Sequence, residues 1–354
     1  MNTRGLIHQR LINQQIIQTS FTDPRQLVSW FGAMQAQEYA MAKWAIGLRM
    51  PGVHETDIEK AFNKGEILRT HVLRPTWHFV TPEDIKWLLA LTGPRINAFN
   101  APYYKRHEVD AKLFNKSKDV LVKNLRDEKF MDREAIHKAF AKAKINASGI
   151  RFAFLLMHAE LDGIICSGPR QGKQFTYALL DVRAPRAKIL DRDEALNKIV
   201  VRYFTSRAPA TLNDFAWWSG LTVKDGRDGA ATLPSNFIHE NINGKDYIIN
   251  EAVPVLPFSK QQRARTTFLM PNYDEFAICY KDRSAIMGER GRGIVFERPF
   301  IIDGKVFGSW KPVLKNKMAE VETSFFVSLN KSQQQAANKA VKRYKSYITP
   351  PSSL

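Results

Sequence analysis

Apolar residues in the first third of the chain recur every three or four positions, a spacing that predicts helices. Leu6, Ile7, Leu11, Ile12, Ile16 and Ile17 make one stripe over residues 4–20. Phe21-Thr-Asp-Pro24 interrupts it, with Asp23 suited to cap and Pro24 to open a second helix bearing Leu27, Val28, Trp30, Phe31 and Met34. A short helix over 40–50 stops at Pro51-Gly52, and another covers 55–63 with Thr56 as its cap. Residues 65–80 are rich in β-branched and aromatic side chains, which predicts two short strands meeting near Arg74-Pro75. Thr81-Pro-Glu-Asp84 then starts a further helix.

The same order of patterns returns twice. A helix from Asp132 to Phe140 and another from Gly149 to Gly163 precede a hairpin over 164–177 with a basic, glycine-rich tip. Helices over 213–219 and 223–231, joined at Gly220-Leu-Thr222, precede a hairpin over 237–249 that turns at Asn243-Gly244. Helix, turn, helix and hairpin make the winged-helix unit, in which a helix enters a DNA groove and the hairpin adds a second contact. The copies share architecture and little sequence. After residue 250 short apolar strands alternate with turns: Val255-Leu-Pro-Phe258, Phe268 to Phe276, Gly293 to Ile302 and Val306 to Trp310, with Asp303-Gly304 a strong hairpin signal. A last helix covers 332–347. The expected fold is α+β. Three tandem winged-helix units occupy 1–110, 111–190 and 191–250, a small β-barrel-like element or curled sheet 251–330, and a helix and tail 331–354.

Composition adds a partner to this picture. The 354 residues carry a net charge of +18, which points to a polyanion, most often nucleic acid. No apolar run approaches a membrane span, and the N-terminus lacks a signal-peptide core, so no membrane partner is expected. The two cysteines, Cys166 and Cys279, sit far apart beside aliphatic residues and read as buried thiols of a cytoplasmic protein.

The most unusual polar pattern is Phe31-Gly-Ala-Met-Gln-Ala-Gln-Glu-Tyr-Ala40, with Gln35 and Gln37 set among apolar residues. Two readings are open: a helix end whose amides bond loose carbonyls, or a polar pair lining a site. Positions two apart on a helix point in different directions. Both amides therefore converge only if the backbone is extended there, or if the helix from Pro24 stops or distorts between them. Other chemistry is sparse. The histidines and cysteines have no metal-ligand spacing, so neither metal nor cofactor is expected. Gly168-Pro-Arg-Gln-Gly-Lys173 has the wrong spacing for a P-loop, and Gly288-Glu-Arg-Gly-Arg-Gly293 reads as a flexible basic loop. On a strand, Arg74, Thr76 and His78 would share a face opposite Trp77. Arg74 and His78, with Arg69 before them, are candidate DNA contacts, as are Arg170 and Lys173 at the hairpin tip and Arg151 at the start of a helix.

Met34-Gln-Ala-Gln-Glu38, Leu73-Arg-Pro-Thr-Trp-His-Phe-Val80, Trp218-Ser-Gly-Leu-Thr222, Pro271-Asn-Tyr-Asp-Glu-Phe276 and Val306-Phe-Gly-Ser-Trp310 follow one another in this order. Over nearly its full length the chain resembles the winged-helix DNA glycosylase family of AlkZ and YcaQ. The resemblance implies winged helices and a β-barrel-like element arranged as a C around double-stranded DNA. It also implies excision of alkylated purines, including the unhooking of interstrand crosslinks, in base excision repair. The family's catalytic motif is Gln, a hydrophobic residue and Gln in AlkZ-like members, or Gln-x-Asp in YcaQ-like ones. Gln35, Ala36 and Gln37 match the first form. These expectations combine into a monomeric, monofunctional hydrolase without cofactor, whose catalytic pair is Gln35 and Gln37. A non-catalytic winged-helix DNA-binding protein is the alternative.

Overall fold

The computed structural model describes residues 1–127, 129–253, 258–287, 297–315 and 318–349. The first helix, Thr3–Asn13, is shorter than its apolar stripe. Gln15 takes a left-handed φ of 59°, and the Ile16 amide donates back to the Leu11 carbonyl. This turn swings Ile16 and Ile17 into the core off the end of the helix, where a straight continuation would have left them on its surface. Asp23 caps the helix Pro24–Phe31 as its sequence suggests, accepting from the Arg25 amide. Helices Tyr39–Arg49 and Glu55–Lys64 follow. In the second, the Asp57 carboxylate takes the His54 amide, so the capping falls to these residues and not to Thr56.

Three small sheets mark the winged-helix units. β1 (Met34–Gln35), β2 (Leu68–Val72) and β3 (Thr76–Val80) pair in the order β1-β3-β2. β4 (Met131–Asp132), β5 (Ile165–Ser167) and β6 (Thr176–Leu179) pair as β4-β6-β5, and β7 (Phe237–Ile242) with β8 (Lys245–Asn250) forms the third wing. Asn243 and Gly244 both adopt positive φ, the geometry their sequence calls for at a two-residue hairpin turn. Two further helices, Ala111–Leu125 and Arg192–Arg207, precede the helical parts of the second and third units.

The C-terminal strands are β9 (Phe268–Leu269), β10 (Pro299–Ile302), β11 (Lys305–Lys315) and β12 (Met318–Phe325). They form an open sheet ordered β12-β11-β10-β9, with Asp303-Gly304 at one turn. No closed barrel exists among the described residues. The last helix, Lys331–Ile348, lies against both β9 and β12, and so covers the sheet where a barrel would need those strands to pair. Residues 268–276 are strand only at their start. Tyr273 turns left-handed, and Asp274 then caps the short helix Glu275–Ile278. The expected strands at Val255 and before Pro299 fall largely outside the described residues, as does the Gly288–Gly293 loop.

One core joins the first unit to the C-terminal sheet and helix. Trp44, Phe62 and Phe79 pack with Phe268, Phe300, Tyr344 and Tyr347. Gly47 permits this contact, since a Cβ there would lie 2.3 Å from the Tyr347 ring. Described residues between Phe258 and Ile348 therefore complete the first unit's core. A second core joins β2 and β3 to the third unit through Leu73, Tyr203, Phe215 and Trp218, and a third belongs to the second unit. Cys166 and Cys279 are buried free thiols. No helix among the described residues is long and apolar enough to cross a membrane.

Arg49 crosses the first core fully buried. Its guanidinium bonds both Asp274 oxygens at 2.8 and 2.9 Å, and its other donors reach Gln14 and the Ala45 carbonyl. Arg49→Met would leave the Asp274 charge buried and unpaired, an expected loss of about 3–5 kcal/mol in urea unfolding. The double variant Arg49→Met/Asp274→Leu is expected to lose less than the single one, because it removes the uncompensated charge.

Candidate active site

The helix Pro24–Phe31 ends at Gly32, whose φ of 74° suits glycine, and the chain leaves it extended. The helix thus stops before both glutamines, not between them. Met34 opposes Phe79 and Gln35 opposes His78, and the Ala36 amide donates to the Trp77 carbonyl at 2.7 Å. On a strand, successive side chains face opposite ways. Met34 and Ala36 enter the core, at 1% and 0% exposure, while Gln35 and Gln37 share the other face. Gln35 Nε2 lies 3.5 Å from the Thr76 hydroxyl, and its Oε1 is buried without a hydrogen-bond partner among the described residues. Gln37 is exposed, and its Oε1 accepts from the Trp77 amide at 3.3 Å.

Side chains from distant elements hold this strand. Glu275 Oε1 accepts the Gln35 amide at 2.9 Å, and its Oε2 accepts from Arg207 at 2.7 and 3.0 Å. Arg207, fully buried at the end of Arg192–Arg207, also donates to the carbonyls of Phe31 and Ala33, both at 2.9 Å. Arg69 donates to the carbonyls of Ala36 and Gln37. Glu38 accepts from Asn272 and Arg298. A two-residue strand cannot fix itself by its ladder alone, and these bonds satisfy the remaining backbone groups.

The sequence-derived candidates divide by location. His78 joins the glutamine face, fully buried. Its Nδ1 bonds the Thr76 carbonyl, which assigns the proton to Nδ1 and leaves Nε2 a buried acceptor without a partner among the described residues. Burial, and then the Arg74 charge, push its pKa down to about 3. Arg69 is buried too, its guanidinium 4.2 Å from the Trp77 ring centre and 4.9 Å from that of Phe175. Burial lowers its pKa to about 10, so it stays charged at neutral pH. Placed so, Arg69 supports the strand and His78 is enclosed on the glutamine face, where the sequence suggested contacts to DNA. Arg74 precedes β3, in the turn after Leu73, whose φ is 65°; it does not lie on a strand face with Thr76 and His78. Its guanidinium lies 5.8 Å from the Trp217 ring. Gly220, at φ 72°, lets the third unit approach here, since a Cβ would meet the Leu73 carbonyl at 2.4 Å. Arg170 crosses to the first unit, over the Tyr39 and Phe175 rings, and Lys173 is exposed beside it. Arg151 is tied to Glu108 and is not brought to this face by any contact described.

Three of the five pieces that carried the sequence resemblance thus meet in space: residues 34–38, 73–80 and 271–276 form one bonded assembly. The profile of the AlkZ-like DNA glycosylases matches residues 28–347, which hold all of it. The chain belongs to the AlkZ-like DNA glycosylase family. Its fold is similar to that of the Streptomyces sahachiroi DNA glycosylase AlkZ, with a TM-score of 0.78 at 16% identity over 99% of this chain and 98% of that one. No curated protein matches the sequence at a significant level. The AlkZ-like assignment makes the protein a DNA repair hydrolase with DNA as its substrate. Reading the sequence alone missed Arg207, Glu275, Asn272, Glu38 and Arg298 as the supports of this site. Asp274-Glu275 held a signal, because two adjacent acids between Met270 and Phe276 need buried cations. Arg207 gave none.

The unfolded chain takes a proton on His78 near pH 6.5, and the fold refuses it until about pH 3. The stability this site contributes is therefore complete above pH 6.5 and is lost as the pH falls towards 3. Melting temperature measured across this range is expected to fall less steeply for His78→Gln than for the natural protein. Parallel curves would show that His78 is not the group responsible.

Proposed function

We propose that this protein is a monofunctional glycosylase that hydrolyses the N-glycosidic bond of N7-alkylated purines, with Gln35 and Gln37 as its catalytic pair. The observation that carries this reading is the shared strand face of the two amides, with a buried Gln35 Oε1 that has no partner among the described residues. An N7-alkylated purine is already cationic and leaves with little help from a general acid. Its departure gives the sugar oxocarbenium character, as in other glycoside cleavage. A preorganised amide oxygen stabilises that charge, and the second amide orients the attacking water. The nearby carboxylates of Glu275 and Glu38 are engaged by the strand amide and by Arg207, Asn272 and Arg298. This leaves the chemistry to neutral groups.

An approach from the exposed Gln37 side suits a bulky lesion. A crosslinked purine cannot turn into an enclosed pocket, so a charged cleft, in a monomer closing as a C around the duplex, would accept what a base-flipping pocket rejects. Arg74, Arg170 and Lys173 are the basic residues proposed to reach the backbone, with Arg151 as a more distant contact. The reaction would need no cofactor, and the protein would act in the cytoplasm.

Purified protein incubated with duplex DNA bearing N7-methylguanine is expected to leave alkali-labile sites. Gln35→Ala and Gln37→Ala are each expected to slow single-turnover excision by about 10²–10³-fold, the usual effect of removing one preorganised group. Either variant at the natural rate would refute the assignment, and binding without abasic product would favour a shielding role. Sodium borohydride is expected to trap no enzyme–DNA adduct, since no amine nucleophile is assigned.

A further inference from the structure

We propose that Tyr273 forms a base-stacking subsite beside the glutamine face, one that takes a nucleobase of the DNA adjacent to the lesion. This rests on the reading of that face as the active site. Tyr273 is a non-glycine residue at φ 58°, a conformation that L-residues with bulky side chains rarely adopt. Such strain persists only where the surroundings over-determine it. Here they do. On one side, Asn272 donates to Glu38 at 2.8 Å and accepts the Arg298 amide at 2.7 Å. On the other, Asp274 receives both arms of Arg49, and Glu275 is held by Arg207 and the Gln35 amide. Between these fixed residues Tyr273 leaves the protein, with half of its surface, 50%, exposed.

Glycine or asparagine would satisfy the backbone at this position, and the core makes little use of a half-exposed ring. The ring is thus explained by what it offers to solvent. Its place is set by the residues around it: Asn272 is bonded to Glu38, next to Gln37, and Glu275, two residues on, accepts the backbone amide of Gln35. A second aromatic plane is attached to the same short segment. Trp217, 43% exposed, donates its indole N–H to the Ile278 carbonyl, and the Arg74 guanidinium sits near its face. Two exposed rings at one segment, with an arginine beside the second, on a protein of net charge +18, match an unstacked base and its phosphate. A duplex opened at a damaged purine loses stacking on the neighbouring bases. The Tyr273 ring would replace that lost partner without an enclosed pocket.

The test uses a duplex with 2-aminopurine next to a tetrahydrofuran abasic analogue, so it does not depend on which lesion is excised. The 2-aminopurine emission is expected to change when the natural protein saturates the duplex. Tyr273→Phe, which keeps the ring, should give the same change, and Tyr273→Gly should lose most of it. Tyr273→Gly should also slow N7-methylguanine excision by about tenfold, the scale of one lost base–aromatic stack. Glycine accepts this backbone geometry, so an undiminished melting temperature would show that the loss is not one of folding. An equal emission change with Tyr273→Gly, or none with the natural protein, would overturn the subsite. If N7-methylguanine is not excised but the emission change still requires the ring, the lesion reading falls and the subsite stands.

Discussion

The fully buried pair of Arg207 and Glu275 is the interaction on which the rest of the site depends. Arg207 satisfies its donors with the Glu275 carboxylate, the carbonyls of Phe31 and Ala33, and the Ser206 hydroxyl. Glu275 passes the connection on to the Gln35 amide. A buried ion pair is weak evidence for stability, because taking two charges out of water offsets most of their attraction. What it fixes is position. An uncompensated charge in the core is so costly that the chain must bring the helix Arg192–Arg207, the segment 31–35 and the turn at 274–275 together, or fail to fold. The site is therefore set by elements far apart in sequence.

This constraint decides what the glutamines can do. A strand of two residues has few ladder bonds, and its register could slip. A slip of one residue would send Gln35 and Gln37 into the core and expose Met34 and Ala36. The side-chain bonds from Glu275, Arg207 and Arg69 prevent it. The cations do so from the carbonyl edges of the strand: Arg69 lies between Trp77 and Phe175, and Arg207 lies 4.2 Å from the Trp218 ring. Positive charge thus supports the strand without entering the face of the neutral amides. That suits the proposed reaction, in which the leaving base and the sugar both carry positive character.

Much of the fold was visible in local patterns. Asp23-Pro24, Asn243-Gly244 and Asp303-Gly304 each dictated a cap or a turn, and each acts as its chemistry requires. The misreadings have physical causes. The stripe through Ile16 and Ile17 continued past the helix because a left-handed residue can keep apolar side chains buried after the helical period ends. The short strands after residue 250 fitted either a small barrel or a curled sheet; closure depends on which edges pair, and the sheet stays open because a helix lies against its edge strands. Arg69 and His78 looked like surface contacts because a sequence does not record that Trp77, Phe175 and Thr76 will enclose them.

The sequence by itself determined the succession of helices and hairpins, the basic charge, and the presence of two amides in an apolar stretch. These follow from turn chemistry, periodicity and composition, which act over a few residues. Only the tertiary structure decided that the amides share one strand face, that His78 is neutral beside them, and that Tyr273 is held left-handed two residues before Glu275. Each of these rests on contacts between residues up to about 240 positions apart, such as Gln35 with Glu275. Burial and long-range pairing set their geometry and charge state, and local sequence carries no record of either.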